Sequence, residues 1–169
     1  NLLVSDSGYR GVIIQMDRNM EEIRLDGEEI YACAGALLSS VAVAARNASL
    51  TGFEFAGGIP GTIGGAAVMN AGAYGGELKD VLKEVTVMTR EGEILTIPAE
   101  KMEMGYRTSI IKTAGYLVLE AVISLKKGDE EAIRATMKDL SERRTEKQPL
   151  ITPAQAVPLN GLKDILQES

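Results

Sequence analysis

The sequence contains no histidine, and Cys33 is its single cysteine. The absence of histidine excludes Ser-His and Cys-His catalytic pairs and every histidine-ligated metal site. One cysteine is too few for an internal disulfide or a cysteine zinc site, so a disulfide-stabilised secreted scaffold is not indicated. We expect no metal site, and any catalysis must use other side chains or a bound cofactor.

Basic residues are in the minority, with 18 lysines and arginines against 24 aspartates and glutamates and a net charge of −6. This balance argues against nucleic acid as a partner, because nucleic-acid-binding domains present a basic face. No apolar run approaches the ~20 residues that span a bilayer, and no secretory leader begins at Asn1. We therefore expect a cytoplasmic protein without nucleic-acid or membrane partners, and the sequence carries no signal for an oligomeric state.

The composition, with 45% hydrophobic and 25% charged residues, is that of a globular domain with a core. Residues 37–48 are apolar on most faces and predict a buried helix. Residues 129–146 predict an amphipathic helix, because Ile133, Met137 and Leu140 fall on one face, and the order of acidic residues first and basic ones last suits the helix dipole. Hairpin turns are predicted at Asp26-Gly27 and Glu91-Gly92. Alternating apolar residues predict strands in 2–4, 11–16, 22–35, 81–98 and 115–128.

Glycine is concentrated in one stretch, "FAGGIPGTIGGAAVMNAGAYGGE" from Phe55 to Glu77, which holds eight of the 18 glycines and almost no charge. Glycine permits positive φ and lets a ligand approach main-chain amides, so such a loop can surround a phosphate. Pro60-Gly61 predicts a turn, after which "IGGAAVMN" can begin a helix whose amides face an anion. The stretch matches neither the dinucleotide fingerprint nor the Walker loop. Two interpretations remain open from the residues alone: a phosphate-binding loop, or glycines that serve packing and turns.

Four motifs in register resemble one known family. "LTGFEFAGGIPGTIGGAAVMNAGAYGGE", with "NLLVSD" before it and "GYRTSI" and "RRTEKQPL" after it, resembles the bacterial UDP-N-acetylenolpyruvoylglucosamine reductases (MurB) over about residues 1–150. The resemblance implies an α+β fold: an FAD-binding domain of the vanillyl-alcohol oxidase / p-cresol methylhydroxylase type, with two small α+β subdomains. It divides the chain into an FAD-binding domain (1–128, its N-terminal part missing), a helix leading toward a substrate domain (129–150) and a divergent tail (151–169).

The resemblance also implies where the cofactor binds. The loop at 57–65 is expected to lie against the FAD pyrophosphate, with residues 70–74 further along the flavin cleft. Asn1 matches the last residue of the family's other phosphate loop, and because the rest of that loop is absent from the chain, we expect FAD to be held weakly. The residues implied to bind FAD are Asn1, Gly57, Gly58, Ile59, Pro60, Gly61, Thr62, Gly64, Gly65, Asn70, Gly72, Ala73 and Tyr74.

In the family, NADPH reduces FAD, which passes a hydride to the enolpyruvyl group of a nucleotide-sugar substrate during peptidoglycan precursor synthesis. An arginine stabilises the enol intermediate, and Arg107 in "GYRTS" matches it. Tyr106 and Lys147 match positions that contact the substrate. Taken without the motif, Arg107 would be a surface cation, Tyr106 a core residue and Lys147 a solvated helix end.

After "KQPL" the sequence departs from the family pattern, and neither the proton-donating serine nor the later glutamate is identifiable. We therefore expect that this chain alone does not complete the reaction. The alternative from a different class is a non-catalytic flavin-binding or interaction module of the same fold.

Overall fold

The computed structural model describes residues 5–147, and its elements follow from local sequence signals. Short 3₁₀ turns lie at Arg18–Met20, Glu54–Ala56, Leu78–Asp80 and Ala99–Lys101. The four helices are α1 (Leu38–Asn47), α2 (Ile63–Met69), α3 (Ile110–Ala114) and α4 (Glu130–Lys147). The strands are β1 (Ile23–Asp26), β2 (Glu29–Cys33), β3 (Leu50–Thr51), β4 (Gly72–Ala73), β5 (Gly76–Glu77), β6 (Leu82–Met88), β7 (Ile94–Pro98), β8 (Leu117–Ser124) and β9 (Lys126–Lys127).

One antiparallel sheet of five strands, in the order β1-β2-β8-β6-β7, supports the domain. Asp26 pairs with Glu29 across the β1–β2 turn, where Gly27 takes the left-handed conformation (φ 62°) that such a turn needs. The β6–β7 hairpin joins Met88 to Ile94 around Gly92. Both predicted hairpins are therefore confirmed.

Helices α1 and α2 pack against this sheet. Residues of β2 and β6 alternate between buried and accessible, whereas β8 buries the consecutive residues 121–123. The buried residues of these strands, such as Ile30, Val85 and Ile123, share one core with buried residues of α1 and α2. Helix α2 lies against β8 and β2, whereas α4 packs on α1, β3 and the turn at 54–56. The predicted helices at 37–48 and 129–146 are confirmed, and the mixture of helix and sheet agrees with the expected α+β fold.

The predicted strand at 11–16 is wrong. Within residues 5–22 the only regular element is the 3₁₀ turn, and Val12, Ile13 and Ile14 are 86%, 65% and 74% exposed. Alternation alone cannot make a strand, because a strand also needs a neighbour for its backbone hydrogen bonds. The predicted strand at 2–4 and the tail after Leu150 lie outside the described residues.

A close backbone contact fixes the start of α2 on the sheet. The Gly64 amide donates to the Ala34 carbonyl at 2.9 Å, just beyond β2. A Cβ on Gly64 would lie 3.0 Å from both the Ala34 Cβ and its carbonyl oxygen, which is closer than side chains normally approach. Gly64 is therefore required for packing rather than for a left-handed φ.

Two adjacent glycines give a matched test of this contact. We expect Gly64→Ala to lower the free energy of unfolding by about 1–3 kcal/mol through overpacking. Gly65→Ala is the control, because its Cβ would meet only the Thr62 hydroxyl oxygen, at 3.8 Å, and we expect it to leave stability unchanged or slightly higher. Urea unfolding of both variants measures the difference, and equal stabilities would contradict the contact.

Candidate functional site

The glycine-rich stretch forms a loop that joins the 54–56 turn to α2. Gly61 has φ 147°, a conformation that favours glycine, and no atom lies within 4 Å of the position where its Cβ would be. Its carbonyl accepts the Leu38 amide at 3.1 Å, which ties the loop to the start of α1. The loop is thus held in place while the outer side of Gly61 stays open.

Only part of this loop has free amide donors. Five amides between residues 57 and 65 donate within the chain, to the Glu54, Ala56, Ala36 and Ala34 carbonyls and to the Thr62 hydroxyl; they belong to Gly57, Ile59, Ile63, Gly64 and Gly65. The amides of Gly58, Gly61 and Thr62 donate no hydrogen bond to any acceptor among the described residues. Within residues 57–65, only these three amides can therefore donate to an anion. Pro60, which lies between Gly58 and Gly61, has no amide hydrogen.

The amides at the start of α2 are already hydrogen-bonded within the chain, in contrast to the sequence-based expectation that they face a phosphate. The Ile63 and Gly64 amides donate to carbonyls at 2.9 Å, and the Thr62 hydroxyl caps the Gly65 amide at 3.5 Å. The first-turn donors of α2 are thus already satisfied. Of the two interpretations that the sequence left open, packing is confirmed at Gly64, and the exposed backbone at Gly61 is compatible with a phosphate-binding loop.

Asn70 connects the other end of α2 to two further segments. It ends the helix in the left-handed conformation (φ 45°) and is 5% exposed. Its Nδ2 donates to Glu77 Oε2 at 2.8 Å and to the Gly105 carbonyl at 3.2 Å, and its Oδ1 accepts the Lys79 amide at 3.0 Å. Both amide hydrogens are used. The Asn70 side chain therefore holds other chain segments rather than presenting free donors.

The Glu77 carboxylate that accepts from Asn70 is itself held in the charged form. Its Oε2 lies 2.7 Å from Lys79 Nζ. Hydrogen bonds from Lys79 and then from Asn70 lower the pKa of Glu77 below its ordinary value. The carboxylate therefore remains ionised and accepting at neutral pH.

Arg107 lies at the tip of a tight turn that follows Gly105. Gly105 and Thr108 exchange two backbone hydrogen bonds, of 3.1 and 3.4 Å, and Arg107 has φ 53° at the third position of the turn. That position normally takes glycine or asparagine, and the left-handed conformation costs another residue about 1–2 kcal/mol. Such backbone strain at a residue other than glycine is typical of functional positions.

The Arg107 turn projects its side chains and is anchored at both ends. Tyr106 is 88% exposed, so the interpretation of Tyr106 as a core residue is wrong. The Arg107 guanidinium carbon lies 5.8 Å from the centre of the Tyr106 ring. Before the turn, Asn70 binds the Gly105 carbonyl; after it, the buried Ser109 hydroxyl donates to the Val68 carbonyl at 2.8 Å.

Tyr74 occupies a similar position on the β4–β5 hairpin. Tyr74 and Gly75 form the two-residue turn with φ values of 54° and 87°, as in a type I′ turn. Gly72 and Ala73 form the first strand, where a Cβ on Gly72 would meet the Gly76 carbonyl at 2.7 Å. Tyr74, 43% exposed, shares a cavity wall with the start of the glycine loop.

The structure therefore joins the Gly58–Thr62 segment, Asn70 and the Arg107 turn through one short helix. Asn1 lies outside the described residues, and Lys147 ends α4 without a described side chain. Sequence reasoning missed Glu77 and Ser109. The spacing of Glu77 and Asp80, which form a capping box, was the available signal for the first.

Comparisons with known proteins show the family to which the chain belongs. A family model described as "FAD binding domain" matches residues 1–98. The UDP-N-acetylenolpyruvoylglucosamine reductase of Alkaliphilus metalliredigens is 50% identical over 153 residues, which cover 90% of this chain and 50% of that protein. The reductase of the same name from Limosilactobacillus fermentum is 49% identical over 154 residues, covering 91% and 51%.

Among solved structures, UDP-N-acetylenolpyruvylglucosamine reductase (MurB) from Thermus caldophilus has a TM-score of 0.63 and 34% identity, covering 68% of this chain and 42% of that one. The chain spans about half the length of the curated relatives it matches. The resemblance to MurB found in the sequence is confirmed, and so is the expected α+β fold. By its sequence, its fold and the family model that matches residues 1–98, the chain belongs to the FAD binding domain family.

Proposed function

We propose that this chain is the flavin-binding portion of a UDP-N-acetylenolpyruvoylglucosamine reductase, an FAD-dependent oxidoreductase. The observation that carries the proposal is the Arg107 turn, held by Asn70 at one end of α2 while unbonded amides lie at the other. The seven residues of α2 separate these features by about 10 Å, a distance that one extended cofactor can span. The relatives named for this activity support the same assignment.

The residues present fit the diphosphate of FAD. The unbonded amides of Gly58, Gly61 and Thr62 are donors for its oxygens, and Gly61 leaves the approach open. No basic side chain is required there, because main-chain amides carry the partial positive charge. When bound, the flavin supplies the hydride chemistry, whereas the chain supplies binding and orientation.

Arg107 acts on the substrate. The strained turn holds its guanidinium at an exposed tip, and no described carboxylate forms an ion pair with it. A fixed cation there stabilises the negative charge that develops when the double bond of an enolpyruvyl group is reduced. Tyr106 projects from the same turn, and with Lys147 it is assigned to substrate contact.

The finer parts of the proposal rest on the family resemblance of the sequence. NADPH is the reductant, the substrate is the UDP-N-acetylglucosamine enolpyruvate that yields UDP-N-acetylmuramate, and the protein serves peptidoglycan synthesis in the cytoplasm, with consequences for cell shape, cell cycle and division. Within residues 5–147, no helix combines the length and apolar character that crossing a membrane requires. The organisation proposed is an FAD-binding domain to residue 128, a connecting helix to 150 and a tail.

The first prediction concerns flavin binding by this chain. Gly61→Ala places a Cβ on the open side of the loop, so we expect at least about tenfold weaker FAD binding, because a donor of a charge-assisted bond is displaced. Titration followed by flavin fluorescence measures it. Gly27→Ala is the matched control, since Gly27 also has a positive φ and open space but lies in the β1–β2 hairpin. Equal FAD affinities of the two variants would refute the assignment.

The second prediction concerns turnover in the complete reductase. Arg107→Gln should lower kcat by about 100- to 1,000-fold, because electrostatic stabilisation of the transition state is lost. The flavin spectrum should stay unchanged. Lys101→Gln is the control, because it removes an exposed charge outside the site and should leave kcat unchanged. A kcat of the Arg107 variant equal to that of the unaltered reductase would show that Arg107 is not part of the site.

The third prediction concerns Asn70 as a positioning residue. Asn70→Gly keeps the left-handed conformation but deletes three hydrogen bonds, so we expect faster amide exchange at Thr108 and a stability loss of about 1–3 kcal/mol. In the complete reductase, kcat should fall more than KM rises, because Arg107 loses its orientation. An unchanged exchange rate at Thr108 would show that Asn70 does not hold the turn.

A further inference from the structure

Ser109, the serine of the motif "GYRTSI", is buried immediately after the Arg107 turn. It is 1% exposed, and its hydroxyl donates to the Val68 carbonyl at 2.8 Å. Val68 belongs to the last turn of α2, 41 residues earlier in the chain. Because a buried hydroxyl is costly without a hydrogen bond, this contact fixes Ser109 against α2.

The Ser109 hydroxyl does not cap the helix that it precedes. Ser109 is the N-cap residue of α3, a position at which serine usually accepts an amide of the first helical turn. Its side chain forms no such bond with the described residues of α3. The hydroxyl bonds to α2 instead. The contact between the two helices, rather than the start of α3, therefore accounts for a serine at this position.

The Ser109 bond and the Asn70 bond lie on opposite sides of Arg107 in the sequence. Asn70 Nδ2 donates to the carbonyl of Gly105, which comes two residues before Arg107. Ser109 comes two residues after Arg107 and bonds to Val68. Val68 and Asn70 both lie at the C-terminal end of α2. The Arg107 turn is therefore attached on each side to the same end of one helix.

A turn with a strained residue at its tip needs such attachments. The left-handed φ of Arg107, 53°, persists only where the surrounding structure prevents relaxation. The turn itself supplies little restraint, because the bond from the Thr108 amide to the Gly105 carbonyl is long, at 3.4 Å. If the turn were released on the Ser109 side, the backbone of Arg107 could relax. Its guanidinium would then lose its fixed position.

We propose that Ser109 is a positioning residue for Arg107: its hydrogen bond to α2 keeps the turn in its strained conformation and so holds the guanidinium in place for the reaction. This inference rests on the proposed function, which assigns the electrostatic role to Arg107. Ser109 itself does not transfer a proton to the substrate, because its hydroxyl is buried and its hydrogen is bonded to the Val68 carbonyl.

The test compares two hydroxyls at α3 in the complete reductase. Ser109→Ala should lower kcat about tenfold and change KM less than about twofold, because Arg107 loses its orientation. Thr113→Val is the matched control: it removes an exposed hydroxyl that donates to the Ile110 carbonyl within α3, at 3.1 Å, and should change kcat less than about twofold. In an Arg107→Gln background, Ser109→Ala should lower kcat no further, as expected for a residue that acts through another.

A second measurement needs neither FAD nor substrate. In this chain, Ser109→Ala should speed amide hydrogen exchange at Gly105 and Thr108 at least about fivefold relative to the amides of β8, which report global unfolding. Thr113→Val should leave that ratio unchanged.

Two results would overturn the inference: an unchanged exchange ratio in the Ser109 variant, or a loss of kcat that persists in the Arg107→Gln background. A normal kcat of Arg107→Gln alone would instead overturn the proposed function of Arg107. The exchange ratio would still decide whether Ser109 holds the turn.

Discussion

The site depends on the hydrogen bonds of one buried amide. Asn70 joins the end of α2 to Glu77, to the Lys79 backbone and to the carbonyl that begins the Arg107 turn. Because α2 is itself fixed on the sheet by the close contact of Gly64 with Ala34, the position of Arg107 is set relative to the glycine loop. A helix of two turns thus connects the unbonded amides of the loop to the turn that carries Arg107.

Two regions of the domain differ in the polar groups that they expose. Around Gly61, main-chain amides have no acceptor among the described residues. Beside α4, the side chains of Arg46, Arg134 and Lys138 line a cavity that also has an apolar wall. Tyr74 and Arg107 have left-handed backbone conformations at turn tips, where their side chains are exposed.

Local sequence signals were sufficient where the structure is locally determined. Turn chemistry predicted both hairpins, and periodicity predicted α1 and α4. The failure at residues 11–16 has a non-local cause, since a strand requires a partner that alternation does not reveal. The sheet order is also non-local, because β8, late in the chain, lies between β2 and β6.

The same limit applies to the site. The motif located the glycine loop and the Arg107 turn, but which amides are free depends on the Ala34 and Ala36 carbonyls, distant in sequence. The Asn70 bond to Gly105 likewise crosses 35 residues and has no local signal. The exposure of Tyr106 was evident only from the structure, because tyrosine suits a core and a surface equally well.

The central claim is that FAD is held by specific unbonded amides of the loop. Amide NMR spectra of the chain during FAD titration test it most directly. The account predicts downfield shifts at Gly58, Gly61 and Thr62, with little change at Ile63 and Gly64, whose amides already donate to carbonyls at 2.9 Å. Shifts concentrated at Ile63 and Gly64, with the other three unmoved, would contradict it.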